Sequence, residues 1–192
     1  MNPRSIAAAE MLPVRLMISI AMIVTIVILV VVAAGNLQVF LAEQEIETAC
    51  RSLQASLCTM VADGAFRDVD DLSSPEGTKR IHTFKLPDTL MYLSFGGDPD
   101  PADNGSRTSE LLEDGSVIVY KVEGGSKKIL WLPIETYKFR EGRFDYTHWV
   151  LEDQGNSFLI TSGGTVTLVF ECVQKRHQKF ILIHQNDERN SW

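Results

Sequence analysis

From Leu16 to Ala42 the chain has no charged side chain, and the stretch Leu16 to Ala34 is almost wholly aliphatic. A hydrocarbon layer about 30 Å thick is crossed by roughly 20 apolar residues at about 1.5 Å of rise each. Ser19 and Thr25 do not interrupt the run, because a hydroxyl inside a helix bonds back to a carbonyl one turn earlier. The sequence therefore predicts one membrane-spanning helix at residues 16–35, with everything after it on one side of the bilayer. A cleaved secretory signal is the competing reading, since Val32-Ala33-Ala34 offers small residues in the right places. Signal cores, however, are about 7–15 residues long, shorter than this run.

Flanking charge predicts the orientation. Residues 1–15 carry Arg4, Arg15 and the amino terminus against Glu10, whereas Glu43, Glu45 and Glu47 follow the span before Arg51. By the positive-inside rule the leader is cytoplasmic, the chain lies in the cell membrane as a single pass, and the C-terminal domain is extracellular. The 192 residues suffice for an anchor and one domain with a proper core. The chain is acidic, −7 overall, which disfavours nucleic acid and anionic membrane surfaces as partners of that domain. Three cysteines make no closed disulfide framework. On one helix Cys50 and Cys58 are about 12 Å apart, too far to bridge. Cys172 could meet either one, or all three could be small buried hydrophobes.

Beyond the span, Ile46, Ala49, Cys50, Leu53, Leu57, Met60 and Val61 recur at three- and four-residue steps and draw one apolar stripe. Glu47 and Arg51 form an i,i+4 pair on another face. Gly64 supplies a stop. These signals predict one helix from about Pro13 to Asp63, with residues 36–63 as its amphipathic extension. After a polar joint, residues 78–192 change to short apolar or alternating runs at 80–86, 90–95, 116–122, 127–132, 157–161, 165–173 and 179–183, separated by turn residues. Three hairpins are expected: 116–122 with 127–132, the runs flanking Gly163-Gly164, and the last two strands. A striped helix needs an apolar face to cover it, and one side of an antiparallel sheet offers it. The predicted fold is α+β, a long N-terminal helix packed on a mostly antiparallel β-domain.

Few residues point to chemistry. Asp98, Asp100 and Asp103 lie in the turn-rich Asp98–Gly105 loop at spacings that could converge on Ca²⁺, although Ala102 and the lack of a closing Glu depart from an EF-type loop, and a solvated loop is the simpler reading. Asn104-Gly105-Ser106 matches a glycosylation acceptor at Asn104. His82, His148, His177 and His184 have no metal-ligand spacing. Trp131, Tyr137, Phe139, Phe144, Tyr146 and Trp149 gather with Arg140 and Arg143, either as an aromatic-basic binding face or as core and its cover. No nucleophile elbow, phosphate loop or dinucleotide fingerprint occurs, so neither an enzyme nor a cofactor is expected.

The union of leader, apolar helix and β-domain resembles a type IV pilin or pilin-like protein, particularly of archaeal kind. Met11-Leu-Pro-Val-Arg-Leu-Met-Ile18 is similar to the Ser-Pro-Val-Ile opening of many archaeal pilins, and the aliphatic run after it resembles their helix. The resemblance implies cleavage by a prepilin peptidase before the helix, with Ala9 and Glu10 as the nearest junction, and helices that pack into a filament core. The chain departs from the family in having Ala7-Ala8-Ala9 where a base and a small residue are common. It also has Val14, followed by Arg15, where a glutamate is usual. The expected partners are the lipid bilayer and, through the N-terminal helix, other copies or other pilin-like subunits. The alternative is a non-polymerising anchored domain that binds a ligand or partner protein.

Overall fold

The computed structural model describes residues 3–105, 116–132, 137–145, 148–151 and 157–186, with side chains from Val14 onward. Helix α1 runs from Pro3 to Asp63. Its end lies where Gly64 predicts, but its start precedes Pro13. Pro3 occupies the first turn, where a missing N–H costs nothing. Ala7-Ala8-Ala9-Glu10-Met11-Leu12 then carry strong helix preference up to Pro13. Pro13 is thus interior and removes one helical hydrogen bond.

The chain divides into two compact units, Met1–Leu41 and Ala42–Trp192. The described residues of the first are helix alone. The second combines, among the described residues, the last part of α1 with ten strands: β1 (Arg67–Asp68), β2 (Lys79–Leu86), β3 (Leu90–Phe95), β4 (Val117–Val122), β5 (Lys128–Trp131), β6 (Lys138–Phe144), β7 (Trp149–Leu151), β8 (Phe158–Ile160), β9 (Gly164–Lys175) and β10 (Gln178–Gln185). One sheet has the order β1-β9-β10-β6-β7, with β2 also paired to β9; the other is β5-β4-β3-β8. Pairing is antiparallel except for β1 with β9 and β6 with β10. This is the expected α+β architecture.

The helical stripe is the reason the second unit holds together. Ile46, Cys50, Leu53, Leu57 and Met60 are at most 1% exposed. Cys172 on β9 brings its Sγ to 4.0 Å from the Met60 carbonyl, and Gln54 Nε2 donates to the Trp131 carbonyl at 3.1 Å. Phe95 meets Phe84, Phe139 and Phe170 edge-on at 5.8–5.9 Å between ring centroids, the geometry that aromatic quadrupoles favour. A second cluster, Leu151, Val173, Phe180 and Leu182 with Val69 and Trp149 beside it, forms on strands of the first sheet. Tyr92, Val117 and Val119 form another on the second.

Two expected hairpins are present, β4–β5 and β9–β10. The β9–β10 turn has Arg176 and His177 both at positive φ (48° and 69°), the I′ form whose twist suits a two-residue hairpin. The expected hairpin across Gly163-Gly164 is not formed: β8 pairs with β3, and β9 with β2 and β10 in the other sheet. The glycines serve a crossing. A Cβ on Gly163 would lie 2.5 Å from the Pro87 carbonyl oxygen and 2.7 Å from Asp88 Cα, and Gly164 has φ +121°.

Candidate functional site

In the first unit the side chains from Val14 to Leu41 are almost all exposed, Phe40 and its apolar neighbours included. The most apolar window of α1 is 0% buried, and α1 is long and apolar enough to cross a membrane. Burying one large aliphatic side chain is worth about 1.5–3 kcal/mol, so this surface strongly favours lipid or packed helices over water. Thr25 Oγ1 donates to the Ala21 carbonyl at 2.8 Å, which satisfies its hydroxyl within the helix. Arg15 is exposed. The side chains of Ala9 and Glu10, at the candidate processing junction, lie outside the described residues.

The acidic loop is held by lysines. Lys127 Nζ lies 2.7 Å from Asp98 Oδ2 and 2.8 Å from the Asp100 carbonyl oxygen; Lys121 Nζ lies 2.6 Å from Asp103 Oδ1. Asp100 is 2% exposed, and its carboxylate accepts the N–H groups of Asn104 (2.9 Å) and Gly105 (2.8 Å). Burial works to raise the Asp100 pKa, but those two N–H groups, with Lys127 and Lys121, hold it below the ordinary carboxylate value. Among the described residues no group of three or more His, Cys, Asp or Glu side chains is placed to hold a metal ion. Asn104 is exposed on the loop, and Ser106 of its acceptor motif lies outside the described residues.

The aromatic-basic stretch is divided between core and surface. Phe139 is core, whereas Trp131 is 65% and Phe144 36% exposed. Arg140 stacks over the Phe180 ring at 5.4 Å, Arg143 is exposed, and Tyr146 lies outside the described residues. Phe66 and Tyr137 stack at 5.6 Å, and Lys179 Nζ sits 4.3 Å above the Phe66 ring.

Beneath this stretch lies a constellation that the sequence does not announce. Arg67 Nε donates to Glu171 Oε1 at 2.8 Å, and its Nη2 donates to Glu171 Oε2 at 3.0 Å and to the Trp149 carbonyl at 2.7 Å. Gly77 N donates to Glu171 Oε1 at 3.3 Å. Both charged residues are buried. His184 stacks on Trp149 with centroids 3.9 Å apart, and burial lowers its pKa despite the Gln185 carbonyl and nearby Glu171. This group fixes β1, β7, β9 and the joint after α1 to one another. The signal that could have found it is a lone Glu in the apolar run Leu168–Val173.

Two further contacts secure the helix to β5 and the turn before it. Ser126 N donates to Glu43 Oε1 at 3.1 Å, and Lys128 Nζ is 3.6 Å from Glu43 Oε2. Glu47, Arg51, Tyr120, Lys128, Ile129 and Leu130 line a shallow depression there, where burial first, then Glu47, pushes the Tyr120 hydroxyl up to about 12. Cys50, Cys58 and Cys172 are free thiols, Cys50 and Cys172 buried. Burial raises Cys50 to about 12, with Glu47 adding to it, and raises Cys172 to about 11. His82 lies edge-on to Phe84 at 4.6 Å and is lowered by burial. His148 sits 3.5 Å from Asp145, and His177 is exposed.

Comparison with protein-family models, curated proteins and solved structures finds no match. A single apolar N-terminal helix consistent with membrane anchoring, and an α+β domain built on the end of that helix, agree with a generic pilin-like architecture.

Proposed function

We propose that the chain is a non-enzymatic, single-pass surface protein acting as a pilin-like subunit of a filament or pseudopilus-type assembly, its leader cytoplasmic and its β-domain outside. The carrying observation is α1. One helix, Pro3–Asp63, contains both a fully exposed aliphatic surface and the buried stripe from Ile46 to Val61. The stripe is satisfied within the second unit. The aliphatic surface is not, and it needs lipid before assembly and neighbouring helices after it. Association between such helices rests on close packing, for which Ser19, Ala21, Ala33, Ala34 and Gly35 are the small residues available.

Arg15 favours the second reading, a permanently anchored, non-polymerising domain that binds a ligand or partner protein. A guanidinium buried in a helix bundle needs a carboxylate, whereas at a bilayer surface it is solvated. The deciding experiment determines the N-terminus and intact mass of the mature protein from native membranes, then tests disulfide crosslinking of Ala21→Cys and Ala33→Cys variants. A start near Glu10 with crosslinked ladders supports the subunit. An intact start with monomers only overturns it in favour of the anchored domain.

A further inference from the structure

The geometry points to β2 as a docking edge for an extended acidic peptide of another protein, added as an antiparallel strand. β2 pairs with β9 alone, along its whole length from Lys79 to Leu86. The bond from Cys172 N to the Thr78 carbonyl falls in the same register and sets the phase of the ladder, although Thr78 N itself donates to the Ala65 carbonyl. The alternation of an antiparallel ladder then turns the N–H and C=O groups of Lys79, Ile81, Thr83 and Lys85 away from β9. Among the described residues no strand meets them; Arg80 Nη1 reaches the Lys79 carbonyl at 3.4 Å. Eight residues of exposed edge are a ready template for another strand.

Charge selects the occupant. On a chain of net charge −7, this edge carries Lys79, Arg80 and Lys85, all exposed, and no acid. Lys79 has the exposed Glu76 at 3.0 Å; Arg80 and Lys85 have no acidic partner among the described residues. A second copy of β2 is disfavoured in the central antiparallel register, because the outward groups at odd positions then set Lys79 opposite Lys85 at both ends, and like charges directly opposite are destabilising. The cations therefore repel this chain's own β2 edge and attract an acidic strand. Lys79, Ile81, Thr83 and Lys85 share one exposed face, so the acids of an alternating strand line that face and its apolar side chains lie on the face of Arg80 and His82. The recognised segment alternates acidic and apolar side chains. This holds whether or not the chain polymerises.

The test uses the full chain in zwitterionic detergent and a fluorescein-labelled octapeptide alternating glutamate with valine, read by anisotropy, with glutamine-valine and lysine-valine versions as controls. The glutamate peptide binds best, and hydrogen exchange shows new protection at the Ile81, Thr83 and Lys85 amides. Thr83→Pro removes an outward N–H and leaves the backbone bonds to β9 in place, giving up the exposed 3.0 Å bond between the Thr83 and Thr167 hydroxyls, and weakens binding about tenfold, the equivalent of about one net hydrogen bond. Arg80→Glu with Lys85→Glu inverts the preference to the lysine peptide, and keeps the test open should Thr83→Pro fail to fold. Failure of every peptide to bind overturns the proposal. So does binding that is indifferent to Thr83→Pro, or protection that appears at a different strand.

Discussion

Replacing Glu171 by Leu isolates the energetics of the buried pair. The carboxylate accepts three N–H groups, two from Arg67 and one from Gly77, in a site where Glu171 is 2% exposed. Its loss leaves a buried guanidinium held, among the described residues, only by the Trp149 carbonyl, and takes its acceptor from the Gly77 N–H. Breaking a buried ion pair from one side costs about 3–5 kcal/mol, most of it the uncompensated charge. For a unit of this size that corresponds to a fall in Tm of about 10 °C. Arg67→Met with Glu171→Leu removes both charges, and the remaining penalty is about 1–3 kcal/mol, shared between the Gly77 N–H and the part-buried Trp149 carbonyl that lose these partners. The double variant is therefore more stable than Glu171→Leu. Thermal unfolding of the full chain in detergent, followed by near-ultraviolet circular dichroism, gives both values. Equal stability of the two variants, or a loss below about 0.5 kcal/mol in the single one, would refute the reasoning by showing that Arg67 reaches water.

Burial depresses the His184 and His82 pKa values, so the folded state binds fewer protons than the unfolded one. That stability is complete above the ordinary imidazole value of 6.5 and is lost as pH falls from there through the lower folded values; Tm measured from pH 8 to 5 declines in that window, and His184→Gln flattens the decline. Cys50 and Cys172 resist maleimide in the native chain and react on unfolding, whereas the partly exposed Cys58 reacts first; mass spectrometry of the labelled chain reads the order. Millimolar Ca²⁺ shifts the Tm of the parent chain by less than about 1 °C because Lys121 and Lys127 already neutralise the loop, and it stabilises Lys121→Ala with Lys127→Ala, where the carboxylates are uncompensated.

Local periodicity made the helix and most strands readable. The three- and four-residue steps from Ile46 to Val61 mark the buried face of α1, and β3 was legible to the residue as Leu90–Phe95. β1 and β7 have two and three residues, too few for any period. β6 reads Lys-Phe-Arg-Glu-Gly-Arg-Phe and is largely half-buried, so its charges hide the strand. Gly163-Gly164 has the composition of a turn, and only the close passage by Pro87 shows that it carries the chain between sheets. The acidic loop was legible as a loop, but Lys121 and Lys127 enter it from far along the chain. Arg67 and Glu171 stand 104 positions apart, and nothing in local pattern joins them.

The place of β9 in the sequence sets a timetable for folding. It joins β1, β2 and β10, and its Cys172 meets Met60 across 112 positions. At a synthesis rate of about 5–20 residues per second, the helical stripe leaves the ribosome on the order of ten seconds before the strand that covers it. During that interval β3, β4, β5 and β8 can pair among themselves, as can β6 and β7, while β1 and β2 have no partners. The nascent chain therefore carries its apolar stripe without the cover of β9 until synthesis has passed Cys172.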